Sequence, residues 1–361
     1  MTVLIAGGGT GGHLVPALVL AEAIRKAHPD RRVVIVGARR GIEETLLPAR
    51  DFPFVLLSAE PIYRKQWWKN LRWPFVAIRL LLEVRRLLRA EHPALVIGTG
   101  GYAAGPVVWL AARRGIPTAV LELNAHPGFT VRSLASSVAE IWLGSPEARS
   151  HLRPGRRTVV VDTGTPIAEP DPSIRASALA RFGLDPSKPV LLVTGGSQGA
   201  LGLNEVVAEW VGSGRAEGIQ VLWVTGRNGY ERFRRFHDPP AVQVFDFLDP
   251  LSPAYSVTGL ALCRAGMMTL AELCAWGIPS ILVPLPTAAA DHQTSNARAM
   301  AQAGAAIECP QSELSPERVW ELVGGLVGAP EKLATMRRAA LARARPGATA
   351  NILERIGILS G

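Results

Sequence analysis

The sequence predicts an α/β protein made of two Rossmann-like parallel-sheet halves in tandem, and three observations carry that reading. Short apolar runs alternate with longer segments of helical periodicity along the chain, the pattern that produces doubly wound parallel sheets. The alternation occurs in two series that open alike. Val3-Leu4-Ile5-Ala6-Gly7-Gly8-Gly9-Thr10-Gly11-Gly12 precedes one helix, and Val190-Leu191-Leu192-Val193-Thr194-Gly195-Gly196-Ser197-Gln198-Gly199 precedes another. The length of 361 residues also suits two domains at roughly 150 residues each.

Taken in order, strands are expected at 3–6, 33–37, 54–57, 95–98, 119–122 and 141–143, with helices such as 16–27 and 75–90 between them. The second series places strands at 190–194, 221–225, 242–245, 259–263 and 281–284. The joint is expected at Asp162-Thr163-Gly164-Thr165-Pro166, which runs into the polar, Pro-rich stretch 169–173. A last helix covers about 348–358, and spacing alone does not fix which half it joins. The division adopted is residues 1–163 with 346–361 as one domain and 164–345 as the other.

Composition narrows the class. With 48% apolar residues, 36 Gly and 28 Pro, the chain reads as globular and loop-punctuated, and disorder is excluded. A chain this long buries large cores without a metal or disulfide staple. Cys263, Cys274 and Cys309 show no CxxC spacing and no His at ligand spacing, so neither a zinc site nor a disulfide framework is expected, and a reducing cytoplasm fits. Met1-Thr2 passes directly into the first strand, so no secretory leader is expected. The apolar runs fall short of the ~18–20 residues a spanning helix needs. The net charge of +9 is carried mostly by Arg, with Lys only at positions 26, 65, 69, 188 and 332. Such an excess favours polyanionic partners: nucleic acid, anionic lipid or phosphate-bearing substrates.

The first loop is Gly-rich at a strand-to-helix turn, where backbone N–H groups and a helix N-terminus can approach a phosphate. Gly7-x-Gly9-x-x-Gly12 fits the dinucleotide fingerprint, yet Gly37-Ala38-Arg39-Arg40 stands where a NAD site carries an acid, which leaves NADP open on that basis alone. The same glycines also serve close helix–strand packing. His13 follows at the helix start, where the protonated imidazole is disfavoured. That suits a base or a neutral donor, and equally a capping or phosphate-contacting role without proton transfer.

The second loop has the same physics, with Ser197 adding a hydroxyl that serves a ligand or an N-cap. After the strand at 259–263, Arg264-Ala265-Gly266-Met267-Met268-Thr269-Leu270-Ala271-Glu272 combines a Gly turn, a Thr and a Glu, suited to a phosphate and a ribose. Thr269-x-x-Glu272 also fits a capping box. Asp291-His292-Gln293-x-x-Asn296-Ala297 is a polar cluster suited to sugar hydroxyls.

Together these motifs resemble a known family. Gly8-Gly9-Thr10-Gly11-Gly12-His13-x-x-Pro16-Ala17-Leu18 is similar to the N-terminal signature of the bacterial UDP-N-acetylglucosamine transferases that convert lipid I to lipid II. Gly100-Gly101-Tyr102, Glu122-x-Asn124-x-x-Pro127-Gly128, Gly195-Gly196-Ser197-Gln198-Gly199-Ala200, Gly266-x-x-Thr269-x-x-Glu272 and the 291–297 cluster follow in that family's order, over essentially the whole chain. The resemblance implies a GT-B fold, two Rossmann-like parallel-sheet domains facing across a cleft, with no metal and no cofactor.

It further implies that UDP-N-acetylglucosamine binds mainly to the second domain. Ser197 and the turn of Gly266, Met267, Met268, Thr269, Leu270 and Ala271 would meet the diphosphate, Glu272 the ribose, Leu248 the uracil and Gln293 the sugar. Thr10, Gly11, Gly12 and Asn124 would reach the same ligand from the first domain, with Gly100, Gly101 and Tyr102 on the acceptor side. The family inverts at the anomeric carbon: the muramyl 4-hydroxyl of lipid I attacks, UDP leaves, and lipid II forms for peptidoglycan synthesis. Helix N-termini would stabilise the departing diphosphate, and His13 would take the hydroxyl proton.

From Tyr63 to Arg89 there are eight basic residues and one acid, Glu83, with Trp67, Trp68, Trp73 and Phe75 around an apolar helix. This suits the headgroup region of an anionic bilayer or a core-facing helix with a solvated Arg face, and the lipid-linked acceptor of the family favours the bilayer. The implied location is peripheral, at the cytoplasmic face of the plasma membrane. No RNP, helix-turn-helix or zinc motif accompanies the basic stretch, so no nucleic acid is expected.

The chain departs from the family at Leu123 (usually Gln), Val131 (usually Asn), Ala168 (usually Arg) and Met267 (usually Ala). These departures keep open a GT-B enzyme with another acceptor, such as a glycolipid or a soluble metabolite. An NADP-dependent oxidoreductase, resting on Arg39 and Arg40, and a non-catalytic nucleotide-binding protein are the other readings.

Overall fold

Runs of Val, Ile and Leu form strands buried on both faces, as parallel sheets covered by helices require. The computed structural model describes residues 1–9, 11–39, 43–48, 50–61, 67–196 and 199–361, without the side chains of Thr45, Trp67, Lys69 and Asn70. The chain divides into two units, Met1–Ile167 with Gly347–Gly361, and Ala168–Pro346.

In the first unit the strands are β1 (Thr2–Gly7), β2 (Arg32–Ala38), β3 (Phe54–Leu57), β4 (Leu95–Gly100), β5 (Thr118–Glu122), β6 (Glu140–Leu143) and β7 (Val159–Val161). Among the described residues they form one sheet in the order β3-β2-β1-β4-β5-β6-β7, every pair parallel. The second unit carries β8 (Val190–Thr194), β9 (Gln220–Val224), β10 (Val242–Phe245), β11 (Leu260–Cys263), β12 (Ser280–Leu282) and β13 (Ala306–Glu308). Their order is β10-β9-β8-β11-β12-β13, again all parallel.

Both sheets therefore reverse their winding between the first and fourth strands, at β1/β4 and β8/β11. In open α/β sheets the crevice outside the carboxyl ends at that reversal is where ligands bind. Each Gly-rich turn leaves the carboxyl end of a strand beside this point. The edge strands β7 and β13 lie outside the expected set: each has three residues, too few for a periodic signal.

The helix Gly11–Ala27 begins five residues before the expected start and encloses Pro16. Proline lacks the N–H that would bond the Gly12 carbonyl, so the first turn is loosened around His13. The final helix, Ala348–Ser360, belongs to the first unit. Both guanidinium nitrogens Nε and Nη2 of Arg355 pair with the buried Glu140 carboxylate, which also accepts the Trp142 indole N–H at 2.6 Å. Hydrogen bonding to Glu140 pushes the Arg355 pKa up. Arg31 Nη1 donates to Ser360 Oγ at 3.0 Å. The chain crosses to the second unit at Ile167–Ala168, because Gly164 still donates its N–H to Leu143 O of the first sheet at 2.9 Å.

Candidate active site

In the first unit, β1 and β4 bring Gly7-Gly8-Gly9, His13 and Thr99-Gly100-Gly101-Tyr102 together. His13 Nδ1 lies 3.1 Å from the Thr99 carbonyl, and Thr99 Oγ1 donates to His13 O at 2.8 Å. A carbonyl only accepts, so Nδ1 carries a proton, and in the neutral ring the lone pair is then on Nε2, the tautomer a general base needs. Gly100 makes room for this ring: at φ +101°, an added Cβ would stand 2.5 Å from His13 Nδ1. The Tyr102 ring lies against Gly9, where a Cβ would meet Cε1 at 2.3 Å.

Behind the same loop sits Glu43, fully buried. Its Oε1 accepts the Gly9 N–H at 2.6 Å and the Ala38 N–H at 3.2 Å, tying the loop to the end of β2. Oε2 has no hydrogen-bond partner among the described residues. The acid absent from the end of β2 in the sequence thus arrives five residues later and grips the loop. It commits the Gly9 N–H that a dinucleotide's pyrophosphate would need. Arg39, on which the NADP reading rested, donates to Leu56 O and pairs with Glu83 at 3.3 Å.

At the end of β5, Glu122 is buried and accepts the Asn124 N–H (2.9 Å), Asn124 Nδ2 (3.0 Å) and the Gly128 N–H (2.8 Å). Burial pushes its pKa up, against the pull of those bonds. The arrangement fixes Asn124 at the carboxyl edge of the sheet. Leu123 and Val131 are core residues, 6% and 2% exposed, so neither presents a side chain to a ligand.

In the second unit, Gly195 and Gly196 follow β8, and Gly199 lies ahead of the next helix, Leu201–Gly212. Gly199 has φ +75° and an added Cβ would stand 2.4 Å from Thr225 O. After β11, Gly266 is the N-cap of helix Met267–Trp276 and carries no side-chain cap. The capping-box reading of Thr269 and Glu272 therefore does not hold, because the helix begins three residues before it requires. An added Cβ on Gly266 would meet nothing within 4 Å, so this turn is open, and the N–H groups of Met267, Met268 and Thr269 have no intrahelical acceptor. Leu270 is core, 1% exposed, with its N–H bonded to Gly266 O.

Glu272 lies one turn further on and is pushed up in pKa by burial, opposed by a 2.8 Å hydrogen bond from the Tyr255 hydroxyl to Oε2. Gln293 Oε1 accepts the Leu285 N–H at 2.9 Å, which leaves its NH2 end as the donor side. Asn296 is buried and donates to Ala265 O at 3.1 Å: it braces the turn from behind. Leu248 follows β10 and, like Phe245 and Leu251, packs against the core of this unit. Met267, Glu272, Gln293 and Leu248 thus all follow strand carboxyl ends of one sheet, whereas Thr10 and Ser197 lie outside the described residues.

Sequence reasoning missed three residues. Glu43 and Tyr255 reach partners 34 and 17 residues away. Arg264, 7% exposed, donates to Val283 O, Pro284 O and Gln311 Oε1, locking the end of β11 to its neighbours. None of these pairings leaves a local signature. Burial pushes the thiols of Cys263 and Cys274 up to about 12 and about 11, which removes them as nucleophiles. Among the described residues no group of three or more His, Cys, Asp or Glu is placed to hold a metal.

Helix Trp73–Glu91 has two apolar faces. Leu80, Val84, Leu87 and Leu88 enter the core. Phe75 (78% exposed), Ile78 (60%) and Leu82 (48%), continued by Leu71 and Trp68 on the preceding turn, face outward at helical spacing. With Arg39, Arg79, Glu83 and Arg86, the first three line an open groove of about 490 Å³. Burial raises the Glu83 carboxyl, but the Ser58 hydroxyl and amide and Arg79 hold it below its ordinary value. The side chain of Trp67 lies outside the described residues. Among the described residues no helix is long and apolar enough to cross a membrane.

Two Rossmann-like units, each with a glycine turn at its winding reversal, define a nucleotide-binding α/β protein. The comparisons narrow the class. The chain belongs to glycosyltransferase family 28: the family's N-terminal domain matches residues 3–143 and its C-terminal domain matches residues 190–352. A relative from Desulforudis audaxviator is 38% identical over 100% of this chain and 99% of its own length. Another, from Carboxydothermus hydrogenoformans, is 36% identical over 93% of this chain and 91% of its own. Both are named UDP-N-acetylglucosamine--N-acetylmuramyl-(pentapeptide) pyrophosphoryl-undecaprenol N-acetylglucosamine transferase. A crystal structure of Acinetobacter baumannii MurG superposes with a TM-score of 0.78 at 26% identity, covering 99% of both chains. The fold is GT-B and the protein is a glycosyltransferase.

Proposed function

We propose that this protein transfers N-acetylglucosamine from its UDP ester to the 4-hydroxyl of the muramyl sugar of undecaprenyl-diphosphate-linked lipid I, forming lipid II with inversion. The observation that carries the reading is near full-length similarity to transferases whose shared name states that donor and acceptor. The second unit takes the donor. The open helix N-terminus at Gly266–Thr269 faces the diphosphate and stabilises the charge that builds on it as UDP departs. Ser197 joins it there, Glu272 meets the ribose, Leu248 the uracil and Gln293 the sugar. The first unit takes the acceptor beside Gly100, Gly101 and Tyr102, with Thr10, Gly11, Gly12 and Asn124 reaching the donor. His13 Nε2 removes the proton from the attacking hydroxyl.

The outward stripe of Phe75, Ile78 and Leu82, ringed by arginines, seats the first unit on an anionic bilayer at the cytoplasmic face. Two assays test the proposal. Purified protein given labelled UDP-N-acetylglucosamine and a lipid I analogue should form the disaccharide lipid, and UDP-glucose should be a poor donor. Donor hydrolysis or transfer to another lipid, with none to lipid I, would sink the acceptor assignment. Flotation should recover the protein with phosphatidylglycerol vesicles and not with phosphatidylcholine alone, and Phe75→Glu with Ile78→Glu should abolish the recovery.

A further inference from the structure

Tyr255 is a residue of the second unit to which the reaction above gives no role. It sits on helix Ser252–Val257, ahead of β11, and is 3% exposed. Its ring packs in the core cluster with Cys263, Leu270 and Leu273, and its hydroxyl donates to Glu272 Oε2 at 2.8 Å. A buried phenol needs an acceptor, and a backbone carbonyl would satisfy it. Here the acceptor is a carboxylate that is itself half-buried, and among the described residues no ion pair to it is seen. Keeping an unpaired carboxylate in such a place costs stability, so a core requirement alone does not account for the pair.

The arrangement has a chemical use. A carboxylate has about four lone-pair directions on two oxygens. With one of them held by the phenol, the group cannot swing about its last torsion, a broad and soft rotation for Glu. We propose that Tyr255 is a positioning residue for the donor, holding the Glu272 carboxylate so that its remaining lone pairs meet the two vicinal hydroxyls of the ribose. The pair then reads the 2′-hydroxyl and selects a ribonucleotide over a deoxyribonucleotide sugar. This rests on the assignment of Glu272 to the ribose made above.

The test compares wild type, Tyr255→Phe, Glu272→Gln and the double variant with UDP-N-acetylglucosamine and its 2′-deoxyuridine counterpart. Tyr255→Phe should raise KM for the ribonucleotide donor about tenfold, the scale of a lost hydrogen bond to a charged group, with kcat changed less than about twofold. The preference for the ribonucleotide should largely vanish, and the double variant should be no worse than Glu272→Gln, because both remove one linked interaction. An unchanged KM and preference in Tyr255→Phe, beside a raised KM in Glu272→Gln, would overturn the proposal, whatever happens to the melting temperature. If Glu272→Gln itself leaves KM and preference unchanged, the ribose assignment fails first and the proposal with it. Should Tyr255→Phe not fold, 3-fluorotyrosine at position 255 keeps ring and hydroxyl. Its fluorine resonance should move on UDP binding in wild type and stay fixed in Glu272→Gln, and no movement in wild type overturns the idea.

Discussion

The two glycine turns occupy equivalent places in two sheets of the same winding, yet they are braced by opposite means. In the first unit a buried carboxyl group, Glu43, stands behind the turn and takes the N–H groups of Gly9 and Ala38. In the second, neutral groups do the corresponding work. Gly199 packs on the Thr225 carbonyl, which accepts Asn204 Nδ2 at 2.8 Å, and Asn204 Oδ1 accepts the Trp223 indole N–H at 3.0 Å. A turn with one N–H already committed to a buried carboxyl group is a poor place for a diphosphate. A turn backed by neutral dipoles keeps the electropositive character of its N–H groups and helix end. Topology makes both turns candidates for phosphate, and Glu43, five residues past the end of β2, is the side chain that sets them apart.

The comparison breaks most sharply at His13. If the first turn serves the attacking hydroxyl and the second the donor, His13→Ala should lower kcat by roughly 10²–10⁴-fold, the usual reach of general-base catalysis. Calorimetric affinity for UDP should stay close to wild type. Affinity lost together with kcat would make the first turn part of the diphosphate site and erase the distinction. Gly199→Ala is the counterpart in the second unit. Its Cβ would meet Thr225 O at 2.4 Å from a backbone at φ +75°, so the turn must shift. Strain of this kind costs about 1–3 kcal/mol, and the loss should appear as weaker UDP binding. Gly100→Ala, whose Cβ would strike the His13 ring at 2.5 Å, should instead lower kcat and spare UDP affinity.

Much of this was legible in the sequence for a physical reason. A strand, a glycine turn and a helix start are consecutive, so Val3–Gly12 and Val190–Gly199 announce themselves, and the two sheets form around them as expected. What stayed hidden depends on partners far apart in sequence or on strands too short to show a period. Val159–Val161 and Ala306–Glu308 are edge strands of three residues. Glu43, Arg264 and Tyr255 gain their roles only when the sheet order brings β2, β12 and the helix before β11 beside the turns. The Thr269–Glu272 spacing was ambiguous for the opposite reason: a capping box and a ligand site share it, and only the N-cap at Gly266 separates them.

A smaller effect sharpens the role of charge behind the first turn. Glu43→Gln keeps the shape and one carbonyl acceptor for Gly9 and Ala38 but puts an NH2 where Oε2 lies buried. Urea denaturation should show a loss of about 1–2 kcal/mol for the altered hydrogen bonding. With an amide in place of the carboxyl group, inorganic pyrophosphate should inhibit more strongly through the acceptor side. Unchanged inhibition would mean that the Glu43 carboxyl group does not keep anions from that turn.

The smallest expected effect tests the donor side through Glu272. Burial raises the Glu272 pKa, so the folded protein holds that proton to higher pH than the unfolded chain does. Between the two pKa values the native state binds more protons, and stability then falls as pH rises through the folded pKa. At neutral pH the ionised carboxyl is the disfavoured form. Glu272→Gln should therefore melt slightly higher than wild type near neutrality, with the difference shrinking at lower pH, even though its UDP affinity is lost. Equal melting temperatures across the pH range would mean that the Tyr255 bond fully offsets the cost of burying the carboxylate. A higher melting temperature together with lost UDP affinity in Glu272→Gln would mark a carboxylate kept for the donor at a cost to the fold, the trade expected of a site residue.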